Sequence, residues 1–143
     1  MQDTFKVSKI DADGKKFDKV SRIEAESESL EMYMKLDVNI DVYPIKKNEK
    51  FVVLLTSTLN KDGSAVSDYY TQSIGNGRDS TADKFEYIMQ GKIFKIQDEG
   101  SAAQIKVEIY ISFSGLLMML KGNPSYVSEF QLDQKVFLCM RRL

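Results

Sequence analysis

The chain contains no histidine and a single cysteine, Cys139, so carboxylates and aromatics are the side chains left to do chemistry. A structural zinc site and any Ser-His or Cys-His catalytic arrangement are thereby excluded. Asp11-Ala12-Asp13-Gly14 begins like a calcium loop, yet the later ligands and the glutamate at the twelfth position are missing. Aspartates before glycine serve tight turns for backbone reasons, and a hairpin turn is the expectation. Gly75-Asn76-Gly77-Arg78 is glycine-rich like a phosphate loop but lacks the Lys-Ser/Thr ending and the strand-to-helix context, which leaves a flexible loop. Glu24, Glu26 and Glu28 alternate and so share one face of a strand. Acid–base work would require a cleft that holds two carboxylates in unequal environments. A solvated polar face accounts for the same spacing. No catalytic residue, metal or cofactor is expected.

Lys15, Lys16, Lys19 and Arg22, near Phe17, are the nearest thing to a basic and aromatic cluster. Small barrels of the oligonucleotide-binding kind stack bases on such aromatics. Interspersed Asp and Glu dilute this charge, and overall 20 Lys and Arg face 21 Asp and Glu, a formal net charge of −1. A dedicated nucleic-acid binder carries a basic excess that releases phosphate counterions, so direct nucleic-acid contact is not expected. Tyr69 and Tyr70 form a second aromatic feature, of a residue type enriched at interfaces.

Strands must position these groups. From Met32 to Val42 every even position is apolar (Met32, Met34, Leu36, Val38, Ile40, Val42), with Tyr33, Lys35, Asp37, Asn39 and Asp41 between them. This predicts a half-buried strand with all six apolar side chains on the core side, since a one-residue slip would expose every one. A strand that long bends around a barrel to serve two neighbours, and Pro44 ends it because proline cannot donate to a ladder. Val107, Ile109, Ile111 and Phe113 repeat the pattern, as do Val136, Leu138 and Met140. Phe51 to Leu55 reads as a central strand. Phe5 to Ile10, Lys19 to Ser29, Phe85 to Met89 and Lys92 to Ile96 complete the set, and Gly91 marks a bulge or sharp bend between the last two.

Turn signals fall at Asp13-Gly14, Asp62-Gly63, Glu99-Gly100 and Asn123-Pro124. Asn123 caps a short helical turn with Pro124 at its first position, running towards Phe130. Helical periodicity is otherwise scarce, and many short strands with regular turns mean a sandwich or barrel. Asn60 to Ala82 is rich in Gly, Ser, Asp and Thr and is expected to be one long mobile or binding loop. The whole, residues 1–143, reads as a single domain.

Leu116 to Leu120 is apolar at every position, between Ser114-Gly115 and Lys121-Gly122. A barrel can internalise only one of its two faces. If Leu116, Met118 and Leu120 point inward, Leu117 and Met119 point out, or the reverse. The outward pair, beside the open backbone of Gly115, is a docking strip for a partner unless the barrel's own helix or a loop covers it.

A hydrophobic fraction of 43% and a charged fraction of 29% belong to a globular chain rather than a disordered one. One cysteine permits no intrachain disulfide and favours a reducing, intracellular compartment. No run reaches the ~20 apolar residues of a membrane span, and MQDTFKVSKI lacks the apolar core of a secretory signal.

Four blocks, GKKFDKVSRIEAESES (Gly14 to Ser29), DVNIDVYPI (Asp37 to Ile45), DKFEYIMQGKIFKI (Asp83 to Ile96) and SFSGLLMMLKG (Ser112 to Gly122), resemble the common small subunit eight of the eukaryotic nuclear RNA polymerases. The C-terminal LDQKVFLCMRRL agrees too, so the likeness spans nearly all of the chain apart from Asn60 to Ala82. The family shows Ser-Phe-Gly-Gly-Leu-Leu-Met where this chain has Ser114 in place of the first glycine, which bears on the local backbone geometry. The resemblance implies an all-β fold, a small antiparallel barrel of oligonucleotide/oligosaccharide-binding-like topology with one long mobile loop. It also implies a nuclear, non-catalytic assembly subunit of polymerases I, II and III that docks on the largest subunit. Gly115, Leu117 and Met119 are the interface residues expected from the alternation. A free-standing single-stranded nucleic-acid-binding barrel is the alternative, and an enzyme is the third class. Fold alone does not separate them.

Overall fold

The computed structural model describes residues 1–59, 81–101 and 104–143. Eight strands follow in order: β1 (Gln2–Ile10), β2 (Val20–Ser27), β3 (Tyr33–Asn39), β4 (Lys50–Thr56), β5 (Tyr87–Glu99), β6 (Lys106–Phe113), β7 (Leu116–Gly122) and β8 (Lys135–Arg142). They form one closed antiparallel barrel in the order β1-β2-β3-β7-β6-β5-β8-β4. The expected all-β antiparallel barrel is therefore what the chain builds, with eight strands where the simplest oligonucleotide-binding barrels have five.

The ring consists of two Greek keys. In β4-β1-β2-β3 and again in β8-β5-β6-β7, three strands run as a meander and the fourth returns beside the first. Two seams join the keys: β3 to β7, from Tyr33 opposite Lys121 to Leu36 opposite Met118, and β4 to β8, from Phe51 opposite Arg142 to Thr56 opposite Phe137. Closure leaves no long unpaired edge.

The alternating residues fill the interior. Phe5, Val7, Ile23, Ala25, Met34, Leu36, Val38, Val53, Leu55, Ile93, Ile109, Ile111, Met118, Leu120, Val136, Leu138 and Met140 are all buried in one cluster. Around Val136 to Met140 both faces are covered. Phe137 and Cys139 point outward from β8 yet lie buried beneath Leu59 and Ala82. Ala82 belongs to a short 3-10 helix, Thr81–Lys84, so the expected loop does not extend unbroken to that residue. The rest of that stretch, 60–80, with Tyr69, Tyr70, Asp62-Gly63 and Gly75 to Arg78, lies outside the described residues.

Two expectations need correction. Of the six alternating residues, Met32, Met34, Leu36 and Val38 are buried, but Ile40 is half-buried and Val42 is exposed. The strand ends at Asn39, five residues before Pro44, because Asn39 builds its own turn. Its side-chain oxygen accepts from the N–H groups of Asp41 and Val42 at 3.1 and 3.3 Å, and its carbonyl accepts from Tyr43 N–H at 2.9 Å. Tyr43 then takes the buried place, stacked on Tyr87 with ring centroids 5.1 Å apart. Second, Phe85 to Met89 and Lys92 to Ile96 are not two strands. β5 runs continuously through Gly91, and its bulge falls at Phe94, between the paired residues Ile93 and Lys95. Gly91 instead pairs with Val136 of β8, one residue before Lys92, where β5 begins to pair with β6 as well. A β-carbon there would lie 2.5 Å from both Phe113 Cδ1 and the Ser112 carbonyl oxygen, so close approach selects the glycine.

The helical turn is as expected. α1 (Pro124–Val127) has Asn123 as its N-cap, whose side chain accepts from Ser125 N–H at 2.9 Å.

Candidate interaction surface

The turn between β6 and β7 has two residues, Ser114 and Gly115, with Phe113 opposite Leu116. Both take positive φ, +54° and +95°. Positive φ at both central positions is the type I′ requirement, which matches the right-handed twist of the flanking strands. Ser114 thus occupies a left-handed conformation that glycine would take without strain. The hairpin fixes the register of β7, which buries Met118 and Leu120 and turns Leu117 and Met119 outward. Leu117 is 42% exposed, Met119 is half-buried, and Gly115 is open, with no atom within 4 Å of where a β-carbon would stand. No helix or loop of the described residues buries Leu117.

The ladder places this pair within a larger outer face. One row across the sheet reads Lys95, Tyr110, Met119, Lys35 and Glu24, and a second begins Lys92, Ser112, Leu117. At the bulge Phe94 points out, 49% exposed, its ring 6.2 Å from that of Tyr110. Lys95 Nζ lies 5.3 Å from the Tyr110 ring centre. The strip is therefore Leu117, Met119, Tyr110 and Phe94, with lysines on both sides.

One carboxylate holds the strip in place. The β3–β7 ladder stops at Leu36 and Met118, and Asp37 fills the next position with its side chain. Its Oδ2 accepts from Leu117 N–H at 2.9 Å, while Arg22 donates to both carboxylate oxygens from Nε at 2.7 Å and Nη2 at 3.1 Å. Asp37 is 7% exposed, so these three donors satisfy a buried charge that would otherwise be costly. Beside this clamp a groove of about 330 Å³ opens between the β1–β2 connection and the β6–β7 turn, lined by Asp11, Asp13, Phe17, Arg22, Asp37 and Leu116. Two blocks distant in sequence thus meet here.

The other carboxylates on the face are also engaged. Glu108 accepts from Gln97 at 2.8 Å and from the Tyr110 hydroxyl at 3.2 Å. The Gln97 amide, with Tyr110, holds the Glu108 carboxyl below its ordinary value against a smaller opposing effect of burial. Glu24 accepts from the Tyr33 hydroxyl, and Glu99 pairs with Lys121 at 2.7 Å, which raises the lysine. Glu24, Glu26 and Glu28 form a solvated, divided set: Glu28 lies beyond β2 and pairs with Lys50 at 2.7 Å. Asp11 to Gly14 make a turn, with Gly14 N–H donating to the Asp11 carbonyl at 2.9 Å. The basic cluster is dispersed. Arg22 is committed to Asp37, Lys15 donates to Ser21 Oγ at 3.2 Å, and Phe17 stands 68% exposed at the groove.

Sequence reading found Leu117 and Met119 through alternation, but it missed Phe94, Tyr110 and the three lysines as part of the same surface. Tyr110 and Lys35 were legible only as outward positions of their strands. Phe94 carried no signal, because the bulge leaves both Phe94 and Lys95 pointing outward and no single period runs through Ile93, Phe94 and Ile96.

The RNA polymerase Rpb8 family model matches residues 2–142. A relative from Arabidopsis thaliana, "DNA-directed RNA polymerases II, IV and V subunit 8B", is 49% identical over 99% of this chain and 94% of its own length. The Dictyostelium discoideum "DNA-directed RNA polymerases I, II, and III subunit rpabc3" is 43% identical over 99% and 95%. The Saccharomyces cerevisiae "DNA-directed RNA polymerases I, II, and III subunit RPABC3" is 30% identical over 98% and 95%. With a barrel whose strand blocks all fall inside these matches, the chain belongs to the RNA polymerase Rpb8 family.

Proposed function

We propose that this chain is a nuclear, non-catalytic assembly subunit of DNA-directed RNA polymerases, one barrel domain that docks on the largest subunit through Gly115, Leu117 and Met119. Family membership over residues 2–142, with relatives named as subunits of these polymerases, is the observation that carries the reading. The strip adds support of a physical kind: a half-exposed leucine on a rigid sheet, held by a buried carboxylate, is a surface that a partner can cover with little loss of conformational freedom. In this role the chain supplies shape and contacts and the complex supplies the catalysis.

The test is co-purification of the largest subunit with wild type, Leu117→Asp and the pair Leu117→Asp/Met119→Asp. Placing a carboxylate at a covered apolar position costs about 2 kcal/mol or more, a loss of at least tenfold in affinity. The isolated variants remain folded barrels with near-normal thermal midpoints. Normal assembly of the variants overturns the docking strip, and so does unfolding of the free domain.

A further inference from the structure

We propose that the surface this strip receives is acidic: a polypeptide patch with an apolar centre and carboxylates at its rim. The inference rests on the docking reading above and names the chemistry of the partner's side. Several charged groups on the face already have ion-pair or hydrogen-bond partners; Glu24 and Glu108, held by neutral donors, keep their charge. Asp37 is held by Arg22 and Leu117 N–H, Glu108 by Gln97 and Tyr110, Glu24 by Tyr33, and Glu99 by Lys121. Arg22 and Lys121 are thereby matched in turn. Lys35, Lys92 and Lys95 remain, and among the described residues none of the three has an ion-pair partner. Lys35 sits opposite Glu24 in the β2–β3 ladder, but that carboxylate accepts from Tyr33.

Position makes these three charges a recognition element. Lys35 is next to Met119 across the β3–β7 seam, Lys95 is next to Tyr110, and Lys92 lies two strands from Leu117 along the row through Ser112. Strands stand about 4.8 Å apart, so the backbone of each lysine is within about 10 Å of the apolar strip. The pattern is an apolar centre with three unpaired lysines at its rim, beside Glu24 and Glu108, and complementarity calls for carboxylates on the partner opposite those lysines.

A nucleic-acid strand fits less well. Its phosphates would run past Asp37, Glu108 and Glu24 as well as past the lysines, and the hydroxyls of Tyr110 and Tyr33 are already engaged. Among the described residues Phe94 and Phe17 offer openly exposed rings, but Phe17 stands across the groove lined by Asp11, Asp13 and Asp37, so the two form no continuous stacking track.

The experiment compares wild type, the triple reversal K35E/K92E/K95E and Leu117→Asp in co-purification with the largest subunit across a salt series. In parallel, the isolated chains are titrated with an oligothymidylate of about 20 nucleotides. The triple reversal should lower recovery about tenfold at roughly 0.1 M salt, and the difference should shrink as the Debye length falls below about 5 Å at higher salt. Leu117→Asp should lower recovery at every salt concentration. If Leu117→Asp weakens assembly but the triple reversal does not, the acidic partner is refuted and the docking strip stands. If neither weakens it, the docking reading fails, and this inference with it. If wild type binds the oligonucleotide, and the triple reversal abolishes that binding while assembly is unchanged, the face reads nucleic acid and the proposal is overturned.

Discussion

Replacing Gly91 with alanine tests how tightly the barrel wall is built beside the point where β5 takes its second neighbour. An added β-carbon meets Phe113 Cδ1 and the Ser112 carbonyl oxygen at 2.5 Å, and Phe113 Cε1 at 2.9 Å, against an ordinary lower contact of 3.4 Å. The Phe113 ring can give slightly, at the expense of its packing in the core. The Ser112 carbonyl cannot, because Ser112 is paired with Lys92 in the β5–β6 ladder and Leu117 in the β6–β7 ladder. Overpacking costs about 1–3 kcal/mol, and a clash with ladder backbone belongs at the upper end. Alanine offsets about 0.4–1 kcal/mol of this by stiffening the unfolded chain. The net expectation is about 2 kcal/mol of destabilisation, or about 6–8 °C in midpoint for a domain of this size. Urea unfolding at unchanged m-value and thermal melting both read it. Phe113→Leu in the Gly91→Ala background should restore only part of the loss, because the carbonyl stays where it is. A midpoint within about 1 °C of wild type, or full rescue by Phe113→Leu, refutes the reasoning.

Three further outcomes follow from local features. Ser114→Asn supplies the Asn-Gly pair favoured in type I′ turns and should stabilise the barrel by about 0.5–1 kcal/mol, read as a rise in denaturant midpoint; a fall would place the strain elsewhere. Burial alone would raise the Asp3 carboxyl, but the N–H groups of Leu30, Thr4 and Ser29 hold it below its ordinary value. Its contribution is therefore present above about pH 4 and lost as pH falls through the lower folded value, so Asp3→Ala should cost about 1 kcal/mol at neutral pH and progressively less in acid. A penalty that stays constant down to about pH 2 contradicts this. Burial pushes the Cys139 thiol up to about 12, so a thiol reagent at neutral pH should modify the urea-unfolded chain and leave the native one untouched; rapid native labelling would show that Leu59 and Ala82 do not cover it.

The strands were legible where a single periodicity reached from one turn to the next. Val107 to Phe113 and Met32 to Val38 behave as their alternation requires, and Val136, Leu138 and Met140 face the core as expected, although Phe137 and Cys139 between them are buried too. The pattern misled at Ile40 and Val42 because it counts polarity and is blind to a side-chain oxygen that closes a turn, as Asn39 does. Gly91 was legible as special, but from sequence a bulge and a close approach carry the same signature. The strip's apolar pair could be read locally. The clamp beneath it could not, since Asp37 and Leu117 are 80 residues apart and only the β3–β7 seam brings them together. Ring closure was likewise hidden, because no local pattern says that β4 will find β8.

The two Greek keys present matched edges, and this has a consequence for how the chain can go wrong. Taken alone, the first key would leave β3 and β4 unpaired on their outer sides, and the second would leave β7 and β8. Each edge has its complement on the other key, so the barrel is complete only when both seams are closed. The same edges on a second molecule are identical partners, and the chain from 57 to 86 links the keys, its described residues contributing no barrel strand. Two copies could therefore trade keys and keep every ladder intact, forming a swapped dimer at high concentration. By the same logic, a chain cut within that connection would remain one barrel held by its seams, and two separately made halves would be mutually templating rather than merely sticky.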